Sequence, residues 1–199
     1  MEMERGLISL LALICLATAE IPSEEERHLI VEGHTKIREG VSPCASNMKL
    51  MKYSKKLEAL AKKSLTECVV RRPNVTVKFH NETQNMRLYF ERKPTYLDMI
   101  FYYATEARSY DFDTNTCSGD CAGYKRIVWA DSTRVGCAMH KCGYLGPGRF
   151  RPIYSVICQY DPMEGIEKKR PYRKGPSCSK CPPGYGCRYN QCVRRREHA

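Results

Sequence analysis

The chain has 199 residues, 33 Lys and Arg against 22 Asp and Glu for a net charge of +11, and 12 cysteines. That length suits one ordinary domain of roughly 100–150 residues with an appendage. Beyond the first twenty residues no apolar run is long enough to cross a bilayer as a helix, so the mature chain is expected to be soluble.

Arg5 precedes the apolar run Leu7 to Leu16, and Ala17-Thr18-Ala19 supplies small residues of the kind signal peptidase accepts. The expectation is a leader over 1–19 and a secreted, extracellular chain from Glu20. Cys15 leaves with the leader, and the eleven remaining cysteines enter an oxidising compartment, where such a count becomes a bridge framework. Eleven is odd, so one thiol is left over or pairs with another chain. The sequons at Asn74 and Asn81 agree with passage through a glycosylating lumen, and both are expected acceptors.

Ser23 with Glu26 reads as a capping box, and Gly40 as a helix stop. Between them Ile30, His34, Ile37 and Val41 recur at helical spacing. A second helix follows, with Leu57, Leu60, Ala61, Ser64, Leu65 and Cys68 on its buried stripe and lysines on the wet side. The polar stretch from Val70 to Lys93 reads as loop. Pro94 opens a third, aromatic-rich helix to about Tyr110. Strands are predicted over Lys125 to Ala130, Arg134 to Met139 and Arg151 to Tyr160, from their β-branched and aromatic content. A turn at Leu145-Gly146-Pro147-Gly148 joins the last two. Helices first and an antiparallel sheet second is an α+β order. The domain is expected over 20–165. From 166 to 199 a basic, Cys-rich extension, unable to bury a core, is held by bridges. From Glu167 to Ala199 there are ten Lys and Arg against two Glu, including Arg194-Arg195-Arg196. Such a tail favours anionic partners, glycosaminoglycan or an anionic membrane surface rather than nucleic acid.

The strand region carries a signature. Tyr124-Lys125-Arg126-Ile127-Val128-Trp129-Ala130-Asp131-Ser132, with Gly136-Cys137 after it, resembles the "G-H-Y-T-Q-V-V-W-x-x-[ST]" and "G-C" of the CAP superfamily. That superfamily holds the cysteine-rich secretory, antigen 5 and pathogenesis-related 1 proteins (SCP/TAPS). Cys158-Gln159-Tyr160-Asp161-Pro162 resembles its "C-[NQRHS]-Y-x-P". His34-Thr35-Lys36-Ile37-Arg38 resembles its "H-N-x-x-R", with Thr35 for Asn. Cys178-Ser179-Lys180-Cys181-Pro182 resembles the "C-S-x-C-P" hinge of helminth members, and within the family the look is that of a schistosome-type venom-allergen-like protein. The resemblance implies a three-layer α-β-α sandwich and the bridges Cys68–Cys142, Cys117–Cys121 and Cys137–Cys158. It also implies that the tail cysteines pair among themselves as Cys178–Cys187 and Cys181–Cys192, the swapped connectivity remaining open. Cys44 is left unpaired.

Many family members present two His and two Glu in a central cleft, able to hold a divalent metal. Here those positions fall on His80, Gln84, Glu106 and Gly123. An imidazole and a carboxylate are missing, too large a loss to hold zinc well. No cofactor and no enzyme activity is therefore expected, and a metal-dependent hydrolase is only a remote alternative. No Gly-x-Ser-x-Gly elbow, His-Glu-x-x-His or phosphate loop appears. His34, between Ile30 and Ile37, reads as a core residue. Several CAP proteins bind sterols or fatty acids, which points to Tyr89, Phe90, Tyr96, Phe101, Tyr102 and Tyr103, whose rings pair apolar area with a polar tip. Of these Phe101 and Tyr103 are expected to face the sheet, and Tyr89 and Phe90 to sit in a loop. The expected function is a secreted, non-enzymatic binder of sterol or long-chain fatty acid acting at a parasite–host interface, as a monomer or weak dimer. The alternative is an immunomodulator that binds a host protein or glycosaminoglycan through its basic tail.

Overall fold

The computed structural model describes residues 19–65, 83–146, 149–162, 166 and 168–195. Residues 1–18 of the expected leader over 1–19, the sequon asparagines Asn74 and Asn81, His80 and Cys68 lie outside the described residues. Helix α1 (Glu24–Glu39) starts at the predicted capping box, with Ser23 accepting from Glu26 N, and ends at Gly40. Three glutamates in its first turn and Lys36 and Arg38 in its last oppose the helix dipole favourably. Strand β1 (Lys52–Tyr53) and helix α2 (Lys55–Ser64) follow. Leu57, Ala61 and Leu65 of the predicted stripe are buried, but Leu60 and Ser64 are exposed. The buried polar member is Glu58, which accepts a two-pronged contact from Arg27 of α1 at 2.8 and 2.9 Å and a bond from Tyr53 Oη.

Part of the predicted loop is a strand, β2 (Gln84–Phe90), paired antiparallel with β6 (Arg149–Asp161). Its polar residues hid the alternation, because the pairing to β6 and not the local pattern selects it. The aromatic helix α3 (Tyr96–Thr105) is capped by Thr95 and gives way to one 3₁₀ turn, Glu106–Ser109, short of the predicted end. The small ribbon β3 (Tyr110–Asp111) and β4 (Thr116–Cys117) is followed by α4 (Ala122–Ile127) and β5 (Arg134–Gly146). The signature segment expected as a strand over 125–130 is thus the helix α4 and the turn after it. Tertiary capture of its carbonyls, described below, outweighs the β preference of Ile127 and Val128. Leu145 and Gly146 end β5 instead of forming the turn, whose remaining residues 147–148 are outside the described set.

The main sheet has the order β1-β5-β6-β2, with β1 running parallel to β5 and the other pairs antiparallel. Parity along the strands separates two faces. Val135, Cys137, Met139, Val156, Cys158 and Tyr160 join the core shared with α1, α3 and α4. Ala138 and Ile157 face α2 through Ala61 and Leu65. Three layers result, and they form the α-β-α sandwich. Gly136 lies under α2, where a Cβ would come within 2.3 Å of Glu58 N, so only glycine lets helix and sheet approach this closely. The bridges Cys117–Cys121 and Cys137–Cys158 are present, and Cys178–Cys187 and Cys181–Cys192 hold the hairpin of β7 (Tyr185–Arg188) and β8 (Gln191–Arg194).

The extension is not a solvated appendage. Tyr172 is buried and stacks on Phe112 with ring centroids 4.7 Å apart. Cys192 N donates to Met48 O at 2.6 Å, and Ser46 N to Arg173 O at 2.8 Å. Gln191, wholly buried, donates to Thr35 O and accepts from Arg38 Nε. Arg38 is the centre of this region. It is 1% exposed, and its guanidinium donates to Ile127 O at 2.7 Å, Trp129 O at 2.8 Å, Lys49 O at 2.7 Å and Ser132 O at 3.1 Å. Burial lowers its pKa to about 9, which leaves it charged at neutral pH. One turn earlier on the same face, His34 is fully buried, bonded through Nδ1 to Ile30 O at 2.7 Å and through Nε2 to Tyr160 Oη at 3.2 Å.

Two outcomes follow for stability. Arg38→Ala leaves the carbonyls of Lys49, Ile127 and Ser132 without their donor, Trp129 O keeping Ser132 N, and is expected to cost roughly 3–5 kcal/mol in urea unfolding. Arg38→Lys should recover only part of this, because an ammonium lacks the planar fork. Desolvation pushes the His34 pKa down to about 4 from 6.5. The unfolded chain therefore binds the extra proton between those values, and stability falls as pH drops from about 6.5 to about 4. A shift of this size corresponds to roughly 3 kcal/mol. His34→Gln should flatten the slope of unfolding free energy in that window, and an unchanged slope would contradict the assignment.

Candidate functional site

The cleft expected to hold the metal ligands lies between α4, the 3₁₀ turn and the cleft-facing side of β2 and β6. Glu106 opens the 3₁₀ turn, and its carboxylate accepts from Tyr124 N at 3.0 Å. Burial raises its pKa, and the amides of Tyr124 and Gly123 oppose that rise. Gln84 is paired with Gln159 in the sheet register, and the two amides bond to each other at 2.7 Å. Gln159 is also the partner of Gly136, so strand parity puts both glutamines on the α2 face. Gln84 is therefore a buried cross-strand contact outside the cleft. Asn85 takes the cleft-facing place, donating to Gly123 O at 3.0 Å and Tyr160 Oη at 3.4 Å.

Two residues that sequence reasoning did not single out fill the middle. Arg126, which stands at the Gln of the "Y-T-Q" signature, donates to Asn85 Oδ1 at 3.3 Å, and burial lowers its pKa. Tyr160, the Tyr of the second signature, joins Asn85 to His34. The available signal was the replacement of the motif's neutral Gln by Arg126, beside Gly123 for its His and Lys125 for its Thr.

The residues present do not fit a metal. A Cβ on Gly123 would lie 1.9 Å from Tyr103 Cδ1, so the ring of Tyr103 occupies the space that an imidazole at 123 would need. Tyr103 Oη donates to Met86 O, which fixes the ring there. Gln84 faces elsewhere, and the guanidinium of Arg126, bonded to Asn85 Oδ1, adds a positive charge to the cleft. Among the described residues, the cluster with metal-ligand spacing is Cys178, Cys181 and Cys192, whose sulfurs are committed to bridges.

The aromatic candidates separate. Tyr96 is buried and Tyr103 is packed against the core, so neither offers a binding face. Phe101, expected in the core, is 48% exposed, and Tyr102 is 41% exposed. Tyr89 and Phe90 lie on β2 and not in a loop; Tyr89 is half-buried and Phe90 is 64% exposed. Between Tyr89 and α3 the guanidinium of Arg87 stacks 3.2 Å over the Tyr102 ring and 5.5 Å from that of Tyr89. Arg87 Nε and Tyr89 Oη are buried and have no hydrogen-bond partner among the described residues. Cys44 is exposed and unbridged.

The family model described as "CAP: Cysteine-rich secretory protein family" matches residues 31–160. Human "Peptidase inhibitor 16" is 32% identical over 197 residues, covering 94% of this chain, which spans only 40% of that protein's length. Human "GLIPR1-like protein 1" is 32% identical over 192 residues, covering 92% of this chain and 78% of that protein. Among solved structures, the Schistosoma mansoni venom allergen-like protein 4 superposes with a TM-score of 0.55 at 28% identity, over 80% of this chain and all of that one. The hookworm platelet inhibitor superposes with a TM-score of 0.66 at 21% identity, over 90% and 96%, a likeness of fold.

The cleft geometry gives two expected outcomes. Gly123→Ala should destabilise by roughly 1–3 kcal/mol, as overpacking does. Truncating Tyr103 in the same chain should make the alanine nearly neutral, read as a double-mutant cycle. Zinc should leave the unfolding temperature unchanged, whereas a stabilisation abolished by His80→Ala would establish a metal site.

Proposed function

The chain belongs to the cysteine-rich secretory protein (CAP) family, and on that premise we propose that it is a secreted, non-enzymatic lipid binder. Its ligand class is sterol or long-chain fatty acid, and it acts outside the cell at a parasite–host interface. The observation that carries this reading is the aromatic surface where β2 meets α3. Phe101 and Tyr102 expose large rings there, beside the half-buried Tyr89, whereas strand parity turns the exposed Phe90 to the opposite, α2 face of the sheet. Contiguous apolar area of this kind on a folded surface marks binding sites.

Arg87 and Tyr89 supply the polar element. A buried donor or hydroxyl without a partner costs roughly 1–3 kcal/mol, and the hydroxyl or carboxylate of an amphiphile would satisfy it. A few polar groups set among aromatic rings are the usual make-up of such sites. Two features support the non-enzymatic part: Gly123 and Gln84 stand where the family pattern has an imidazole and a second carboxylate, and Arg126 adds a cation beside Asn85 in the cleft.

Radiolabelled cholesterol and palmitate should be retained by the recombinant protein, with a Kd on the order of 1 μM for at least one of them. Phe101→Ala with Tyr102→Ala should weaken retention about tenfold or more with little change in unfolding temperature, since both rings are exposed. Failure of both lipids to bind would sink the reading.

A further inference from the structure

A second surface shares no residue with the aromatic patch. Two grooves, with cavity volumes of about 780 and 450 Å³, have Lys49 as a common wall. Around the first stand Lys169, Arg170, Arg173 and Lys174, above the buried rings of Phe112, Trp129 and Tyr172. Around the second stand Lys52, Arg134 and Arg194, with no acidic residue in its lining. The carboxylates in the pair are Asp113 and Asp131, already bound to Lys174 at 3.1 Å and Lys49 at 2.7 Å. Eight cations thus face two neutralised anions. Lys52, Arg134, Lys169, Arg173 and Arg194 are exposed, and no ion pair or side-chain hydrogen bond engages them among the described residues.

These charges are held in place. Pro171 O accepts from Ala130 N at 2.7 Å, and Arg173 N donates to Asn47 Oδ1 at 2.8 Å, so the basic strap 168–174 is fixed on both sides of Tyr172. Arg170 Nε donates to Phe112 O at 2.9 Å, which anchors that side chain at the rim. Lys52 N donates to Thr133 O at 2.8 Å, and the Cys181–Cys192 bridge and the Cys192 N bond to Met48 O position Arg194. Cations fixed before a ligand arrives cost less conformational entropy on binding than the same charges on a free tail. Scattered surface lysines would be solvated and unremarkable, but here the cations converge on two adjoining concavities while α1 carries the acidic Glu24, Glu25 and Glu26.

We propose that the paired grooves are a binding track for a linear sulfated glycan. A single polyanionic chain can lie along both and meet Lys49 between them, with sulfates on the arginine forks and ammonium groups. A flat bilayer would reach the rims but not the recessed walls. Single-stranded nucleic acid needs open ring faces for its bases, and the rings under the first groove are buried. The track uses Arg194 but not Arg196, the one arginine beyond Arg195, so the site belongs to the docked extension and not to its tip.

The test is titration of the full chain with size-defined heparin oligosaccharides at physiological salt. Affinity should rise with oligosaccharide length until the chain spans both grooves, then level off. Lys52→Ala with Arg134→Ala, and separately Lys169→Ala with Arg173→Ala, should each weaken binding about tenfold or more. Lys62→Ala with Lys63→Ala on α2, an equal loss of charge, and truncation after Arg195 should each change it less than about twofold. Both groove pairs are exposed, and if one pair fails to fold the other decides. The proposal is overturned if the α2 pair weakens binding as much as the groove pairs, or if neither groove pair does. It is equally overturned if truncation abolishes binding, or if phosphatidylserine vesicles or duplex DNA engage these residues and heparin does not.

Discussion

The structure depends on one buried cation. Arg38 reaches from the last turn of α1 to carbonyls at 49, 127, 129 and 132 and to the amide of Gln191. Taking a guanidinium out of water costs several kcal/mol, and among the described residues no carboxylate bonds to it to offset that. Backbone carbonyls do so instead, and three separate segments must be in place for the balance to close. That explains why the turn after α4 forms despite its β-branched residues, and why the hairpin of the extension inserts Gln191 into the core. The first-helix motif reads the same way. His34 and Arg38 are four residues apart and so share the inner face of α1.

Much of the fold was legible in the sequence where local chemistry and tertiary packing agree. Ser23, Glu26 and Gly40 mark α1 because caps act locally, and β5 and β6 show because both of their faces are covered by helices, which makes them rich in β-branched and aromatic residues. It failed where contacts distant in sequence decide. Gln84 to Phe90 looks polar because Asn85 and Arg87 face a polar cleft and an aromatic layer and not a hydrophobic core. Ile127 and Val128 look like strand because nothing local announces that Arg38 holds their turn. Leu60 looked buried from helical spacing alone, although α2 is covered along a narrower stripe than the pattern allows.

The site was half legible. Glu106 and Gly123 are neighbours in space, since the carboxylate bonds the amide next to Gly123. That an imidazole is missing at 123 could be read from the sequence. That Tyr103 has taken its volume could not, because the contact joins α3 to α4 across twenty residues of chain. The reading of Gln84 as a cleft residue failed by one position, and in a strand one position is the opposite face. The result is a CAP fold whose central cleft is filled by a ring and a guanidinium. The recognition proposed above lies outside it, at an aromatic surface on the β2–α3 edge and at a basic pair of grooves by the docked extension.

That the cleft is closed to metal and the function moved to the surface is the central claim, and native mass spectrometry of the recombinant protein tests it directly. The account predicts a protein that gains no mass when zinc is added and carries an extractable sterol or fatty acid. A stoichiometric zinc adduct on a lipid-free protein would contradict it.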